Sequence, residues 1–206
     1  MPLPLTDAPV RDVAALVRDA SSADHRAAES RGFITRLMAG ELSLDDYGRY
    51  LAQLLPIYDA LERDRPPLEI FDHGFDRGDA IRADLRALGA EHHALVPATV
   101  AYAGHLAGLT DLSGRDGIRY LAHHYTRYLG DLSGGQAIAA LVARHYGATA
   151  EQLTVFRFDG LGKPVDVKRA YRDRLNALSL DDDQVELLVS EVRIAFRMTA
   201  DVFDQL

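Results

Sequence analysis

From Leu44 the apolar residues fall at Leu44, Tyr47, Leu51, Leu54, Tyr58 and Leu61, steps of three and four that cover one face of a helix. Val185, Leu188, Val192, Phe196, Thr199, Phe203 and Leu206 repeat the spacing near the other end of the chain. "SLDD" at Ser43–Asp46 supplies a capping-box start for the first stripe, and a second capping signal, Ser179 to Asp182, precedes the other. Further helices are predicted at 9–30, 77–89, 93–108, 114–130, 134–146 and 165–177. The breaks between them are "RDRPP", "FDHGFDRG", "LTDLSG", "YGAT" and "FDGLGKP". No segment alternates convincingly enough to make a strand, since "TVFRF" (154–158) is short and isolated. With no internal repeat and no long linker, the expected fold is all-α, a single multi-helix domain over residues 1–206.

One stretch resists this pattern. "YTRYLGDLSGGQ", Tyr125 to Gln136, carries Gly130, Gly134 and Gly135 between two helical runs. Each interior glycine costs a helix about 1 kcal/mol relative to alanine. Gly130 and Gly135 half-match a phosphate-binding loop, but Gln136 and Ala137 replace its lysine and hydroxyl residue, and no strand precedes it. Two readings stand at this point. The glycines mark a loop or a tight helix–helix contact, or they bare the backbone and let it bend so that a large planar ligand comes close. Asp131 sets a carboxylate beside that bare backbone.

The chain has no cysteine, which excludes disulfides, thiolate-bound metals and covalently attached haem. Its net charge of −8 argues against a nucleic-acid partner. No apolar run approaches the roughly 20 residues needed to span a bilayer, and neither "MPLPLTDAPV" nor "DVFDQL" reads as a signal or an anchor. A cytoplasmic protein without a membrane anchor is expected. Among the histidines none pairs with another at i, i+4, and no Glu-x-x-His occurs. His25 stands out because Glu29 lies four residues on, on the same helix face. A ligating histidine needs such a carboxylate on its second nitrogen, although an exposed His–Glu pair has the same spacing.

These residues carry a family resemblance. "YTRYLGDLSGGQ" resembles the distal-helix signature of the haem oxygenases along its whole length, and "HRAAES" with Phe33 resembles their proximal-helix motif. "LPIYDALE" (55–62), "YRDRLNAL" (171–178) and "AFRMTADVF" (195–203) extend the similarity from Val13 to Phe203. The resemblance implies a bundle that holds haem between a proximal and a kinked distal helix. It makes His25 the proximal iron ligand and Glu29 its partner. Gly130, Gly134 and Gly135 would form the distal face, where the helix bends over the dioxygen side. Asp131, with Tyr58 and Arg127, would hold the distal water network. Arg18, Lys168 and Arg172, with Tyr125, match positions that hold the haem propionates, unless these bases form an ordinary solvated face. Phe196 would pack near the porphyrin edge.

The implied reaction uses haem b as both substrate and cofactor, consumes O2, and draws electrons from an external donor, a ferredoxin or a flavoprotein reductase. Cleavage at a meso carbon, α-meso in the common outcome, yields biliverdin, carbon monoxide and ferrous iron. A monomer is expected. The alternatives are a haem-binding carrier or sensor without turnover, and a thiaminase-like relative. An active-site cysteine would be expected in the latter, and this chain has none.

Overall fold

Short polar side chains decide where three of the long helices of this protein start. In the computed structural model, which describes residues 11–66, 70 and 73–206, Asp12 accepts a hydrogen bond from the Ala15 amide at 2.9 Å and opens α1, Val13–Glu29. Residues 9 and 10 of the predicted first helix lie outside the described residues. Helix α3, Leu44–Arg63, begins with the predicted box. Ser43 Oγ accepts from the Asp46 amide at 3.1 Å, and Asp46 accepts from the Ser43 amide at 2.9 Å. In the last helix, α8 (Asp182–Phe203), the box is Asp181 with Gln184 instead of one begun by Ser179.

Between these run α2 (Gly32–Ala39), α4 (Gly78–Leu88), α5 (Pro97–Ala107), α6 (Arg115–Tyr146) and α7 (Pro164–Ala177). The sequence reading did not separate α2. It is two turns long, starts at Arg31 without a side-chain cap, and stops at Gly40, whose φ of 80° few other residues adopt. A Cβ on Gly40 would also stand 2.8 Å from the His145 ring. Helix α5 starts at Pro97 and not at residue 93, because proline suits the first turn of a helix. The two helices expected at 114–130 and 134–146 are one continuous helix, α6, that passes through the glycines. Buried Leu129, Leu132 and Val142 hold it on either side of them, and packing of this kind overrides intrinsic propensity.

No described residue is in a strand, and three short 3₁₀ turns, His73–Phe75, Ala150–Gln152 and Thr154–Phe156, complete the elements. Both α1 and α6 pack extensively along α8, while α3 carries α4 and α5. The core between them holds Leu51, Leu61, Leu121, Val142, Leu175 and Val192, each fully buried. Burial of each such side chain stabilises the fold by about 2 kcal/mol. Glu62 accepts from the Tyr128 hydroxyl at 2.9 Å and from the amides of Arg77 and Gly78 at 2.6 and 3.0 Å, so it caps the start of α4. No helix among the described residues is long and apolar enough to cross a membrane.

Candidate functional site

Helices α1 and α6 share α8 as a support but make little contact with each other, and a cavity of about 690 Å³ lies between them. The α1 wall presents His25 and Glu29. Glu29 Oε2 lies 3.3 Å from His25 Nδ1, as the i, i+4 spacing implied. That contact leaves Nε2 as the ring nitrogen suited to a metal. The imidazole is about half exposed and meets Phe196 of α8 edge-on, with ring centroids 5.2 Å apart, so the phenyl ring limits its rotation.

The α6 wall is bare backbone. A Cβ built on Gly130 or Gly134 would meet no atom within 4 Å, so both bound open space on the cavity wall. Gly135 serves differently. Its Cβ would stand 2.8 Å from the Phe156 ring, so this glycine admits an aromatic side chain from the 3₁₀ turn against α6. The stretch is not a loop, since α6 runs through it; Gly135 seats an aromatic ring, and Gly130 and Gly134 leave bare backbone on the cavity wall.

Asp131 also lines the cavity, backed by buried groups. The Tyr58 hydroxyl donates to Asp131 Oδ2, and Arg127 Nη2 donates to the Tyr58 oxygen at 3.1 Å. Tyr58 itself is fully buried and does not reach the cavity. Burial raises the Asp131 pKa, and the Arg127 charge with the Tyr58 hydrogen bond limits the rise. Burial likewise pushes Tyr58 well above its ordinary value, so it remains a donor at neutral pH. Burial opposes the Arg127 charge, yet the neighbouring Tyr58, Asp131, Tyr50 and Tyr102 keep the guanidinium firmly protonated. The arrangement is a cavity-facing carboxyl group steadied by a hydroxyl donor and a fixed cation.

At the rim stand Arg18, Arg172 and Tyr125. Burial raises the Tyr125 hydroxyl pKa, while Arg172 and Arg18 both pull it down. Arg18 is also paired with Asp19 at 2.9 Å. Lys168 is not on the cavity wall; its Nζ donates to Ser133 Oγ at 3.2 Å, and Ser133 is the wall residue. The predicted site residues thus gather around one cavity, with Tyr58 behind the wall and Lys168 one residue away. Tyr50 on the wall was missed. It lies three residues from Tyr47, beside the predicted stripe of α3, so helical spacing signalled its face and not its role.

A family model described as "Heme oxygenase" matches residues 11–205 of the chain. The chain belongs to the heme oxygenase family. It is similar to Heme oxygenase 1 of Gallus gallus, 31% identical over 207 residues that cover 95% of this chain and 70% of that one. It also resembles Heme oxygenase of Porphyra purpurea, 27% identical over 96% of this chain and 87% of the relative. Among solved structures, heme oxygenase-1 from the cyanobacterium Synechocystis sp. PCC6803 in complex with heme superposes with a TM-score of 0.87. The identity is 25%, with 95% of this chain and 92% of that one covered. The heme oxygenase from Leptospira interrogans gives the same TM-score at 26% identity, with 95% and 100% covered. Family and fold agree over nearly the whole chain, and the protein is a haem oxygenase enzyme.

Proposed function

We propose that the protein cleaves haem b to biliverdin, carbon monoxide and ferrous iron at the α-meso carbon, with the haem held in the α1–α6 cavity and His25 Nε2 on its iron. What carries the reading is the opposition of the His25–Glu29 pair on α1 to bare glycine backbone on α6, across one cavity. A volume of about 690 Å³ falls within the about 300–1,000 Å³ usual for ligand sites. The donor set fits haem as well. A neutral imidazole with its far nitrogen held by a carboxylate suits iron, and Arg18, Arg172 and Tyr125 at the rim suit two propionate anions.

Bound haem supplies both the iron that activates O2 and the ring that is oxidised. The chain's own residues then orient, exclude and donate. Glu29 holds the His25 tautomer, and Phe196 fixes the plane of its ring. Gly130 and Gly134 add no side chain to the opposite wall, so bare backbone stands there beside Asp131. Asp131 presents its carboxyl group at the wall, and Tyr58 with Arg127 keeps that group in place. Lys168 adds positive charge near the rim through Ser133. Electrons come from an external ferredoxin or flavoprotein reductase, and the protein acts as a cytoplasmic monomer.

The test is a hemin titration followed by reductant in air. The expected result is a Soret band in the parent protein that is lost in His25→Ala, then conversion to biliverdin. Asp131→Ala should bind hemin and fail to produce biliverdin. Hemin binding without ring opening in the parent protein would overturn the reading in favour of a carrier or sensor.

A further inference from the structure

Three helices bring metal-binding side chains together at a point outside the haem cavity wall. His105 of α5, His123 of α6 and Glu191 of α8 offer ligand atoms that all lie within 4.8 Å of one another. His105 Nε2 is 2.6 Å and His123 Nε2 3.1 Å from the same oxygen, Glu191 Oε1. We propose that these three residues form a binding site for one divalent first-row transition cation, of the class of Zn2+, Co2+ and Fe2+. Two imidazoles and one carboxylate are the donor set such ions prefer over Mg2+ or Ca2+.

The surroundings are arranged around those donors. The second nitrogen of His123, Nδ1, meets the buried Tyr102 hydroxyl at 3.1 Å. A ligating histidine needs an outer partner of this kind to fix its tautomer. His123 is fully buried. Arg119 approaches the other carboxylate oxygen, Oε2, at 3.8 Å, which leaves Oε1 facing the imidazoles. His105 is the part-exposed member, its side chain 29% accessible, and provides the way in from solvent. A bound cation takes the place of the protons that the two Nε2 atoms otherwise direct at Oε1, each neutral ring then carrying its proton on Nδ1, which for His123 faces the Tyr102 oxygen.

The exposed group Asp45, His92 and His93 is the natural comparator. Its donors also converge, but Asp45 is 69% accessible and water competes for each ligand. The test uses the full chain without haem, titrated with CoCl2 and followed by calorimetry and visible absorption. One equivalent should bind with bands of low-symmetry nitrogen–oxygen coordination. Glu191→Gln, which keeps the shape of the side chain, should weaken binding at least about tenfold. Tyr102→Phe, which keeps all three donors and only frees the His123 ring, should weaken it by about 10–100-fold. Should Glu191→Gln fail a melting check, His105→Asn at the part-exposed position removes a donor with little packing to lose. Asp45→Asn and His25→Ala should leave the single equivalent unchanged.

Anomalous scattering from a Zn2+-soaked crystal should place the ion among His105, His123 and Glu191. Absence of binding overturns the proposal. So does binding that survives Glu191→Gln and His105→Asn, or that disappears in Asp45→Asn or His25→Ala. Haem takes no part in either measurement, so the cation site is judged separately from haem cleavage.

Discussion

Alanine placed singly at Gly130, Gly134 and Gly135 should give two opposite results within one turn and a half of the same helix. At Gly130 and Gly134 the new methyl meets no atom within 4 Å. Each substitution therefore gains only the helix propensity of alanine, about 1 kcal/mol. In a chain of this length that raises the melting temperature by about 2–4 °C. At Gly135 the same methyl lies 2.8 Å from Phe156 Cδ1 and within 3.6 Å of the Phe156 Cγ and Cβ atoms. Phe156 is 3% exposed, so its ring has no free space to turn into. Overpacking of this kind costs about 1–3 kcal/mol, which cancels or exceeds the gain in propensity. Gly135→Ala should melt at or several degrees below the parent.

Calorimetry or circular dichroism on the haem-free protein reads the stability half of this prediction. A hemin titration reads the other half. Gly130→Ala and Gly134→Ala put methyls into the cavity, so both should bind hemin less tightly while melting higher. Equal stabilisation by all three alanines would refute the packing role of Gly135. Stabilised Gly130→Ala and Gly134→Ala proteins that bind and open haem normally would refute the distal-wall role of these glycines.

Tyr58→Phe removes two hydrogen bonds, the one given to Asp131 and the one accepted from Arg127, and should cost about 1–3 kcal/mol in chemical unfolding. It should also slow biliverdin formation at unchanged hemin affinity. Glu191, held at about 2 against an ordinary 4.5, carries a depressed folded pKa. Its ionised form therefore contributes stability in full above about pH 4.5, which is lost as pH falls toward 2. A shift of that size is worth roughly 3 kcal/mol. Urea midpoints of the parent should fall across this window, and Glu191→Gln should flatten that part of the curve. Leu61→Ala, at a fully buried position of α3, should cost about 2–5 kcal/mol, and a loss under 1 kcal/mol would show that the site collapses around the change.

Much of this architecture was legible because helical spacing and capping chemistry are local. The stripe from Leu44 to Leu61 and the Ser43–Asp46 box are written within a few turns, and the structure reproduces both. Where local rules competed with packing, they failed. Glycine propensity argued for a break after residue 130, yet burial on both flanks carries α6 through it. Helix α2 escaped notice because its apolar residues, Phe33, Ile34 and Leu37, occupy only two turns, too short a window to show a period.

The site divides along the same line. The His25–Glu29 pair is one helical turn, so the sequence alone determined that the two side chains meet. So did Asp131 between the glycines, as a carboxylate on exposed backbone. The different jobs of the glycines were decided only by the tertiary structure. Gly134 and Gly135 are adjacent in the chain, but successive positions on a helix point about 100° apart, one toward the cavity and the other at Phe156. The structure alone also placed Tyr58 and Arg127 behind Asp131, and brought His105, His123 and Glu191 together from three helices. The last two are 68 residues apart in the chain, and no periodicity within one helix can register which face of another it will meet.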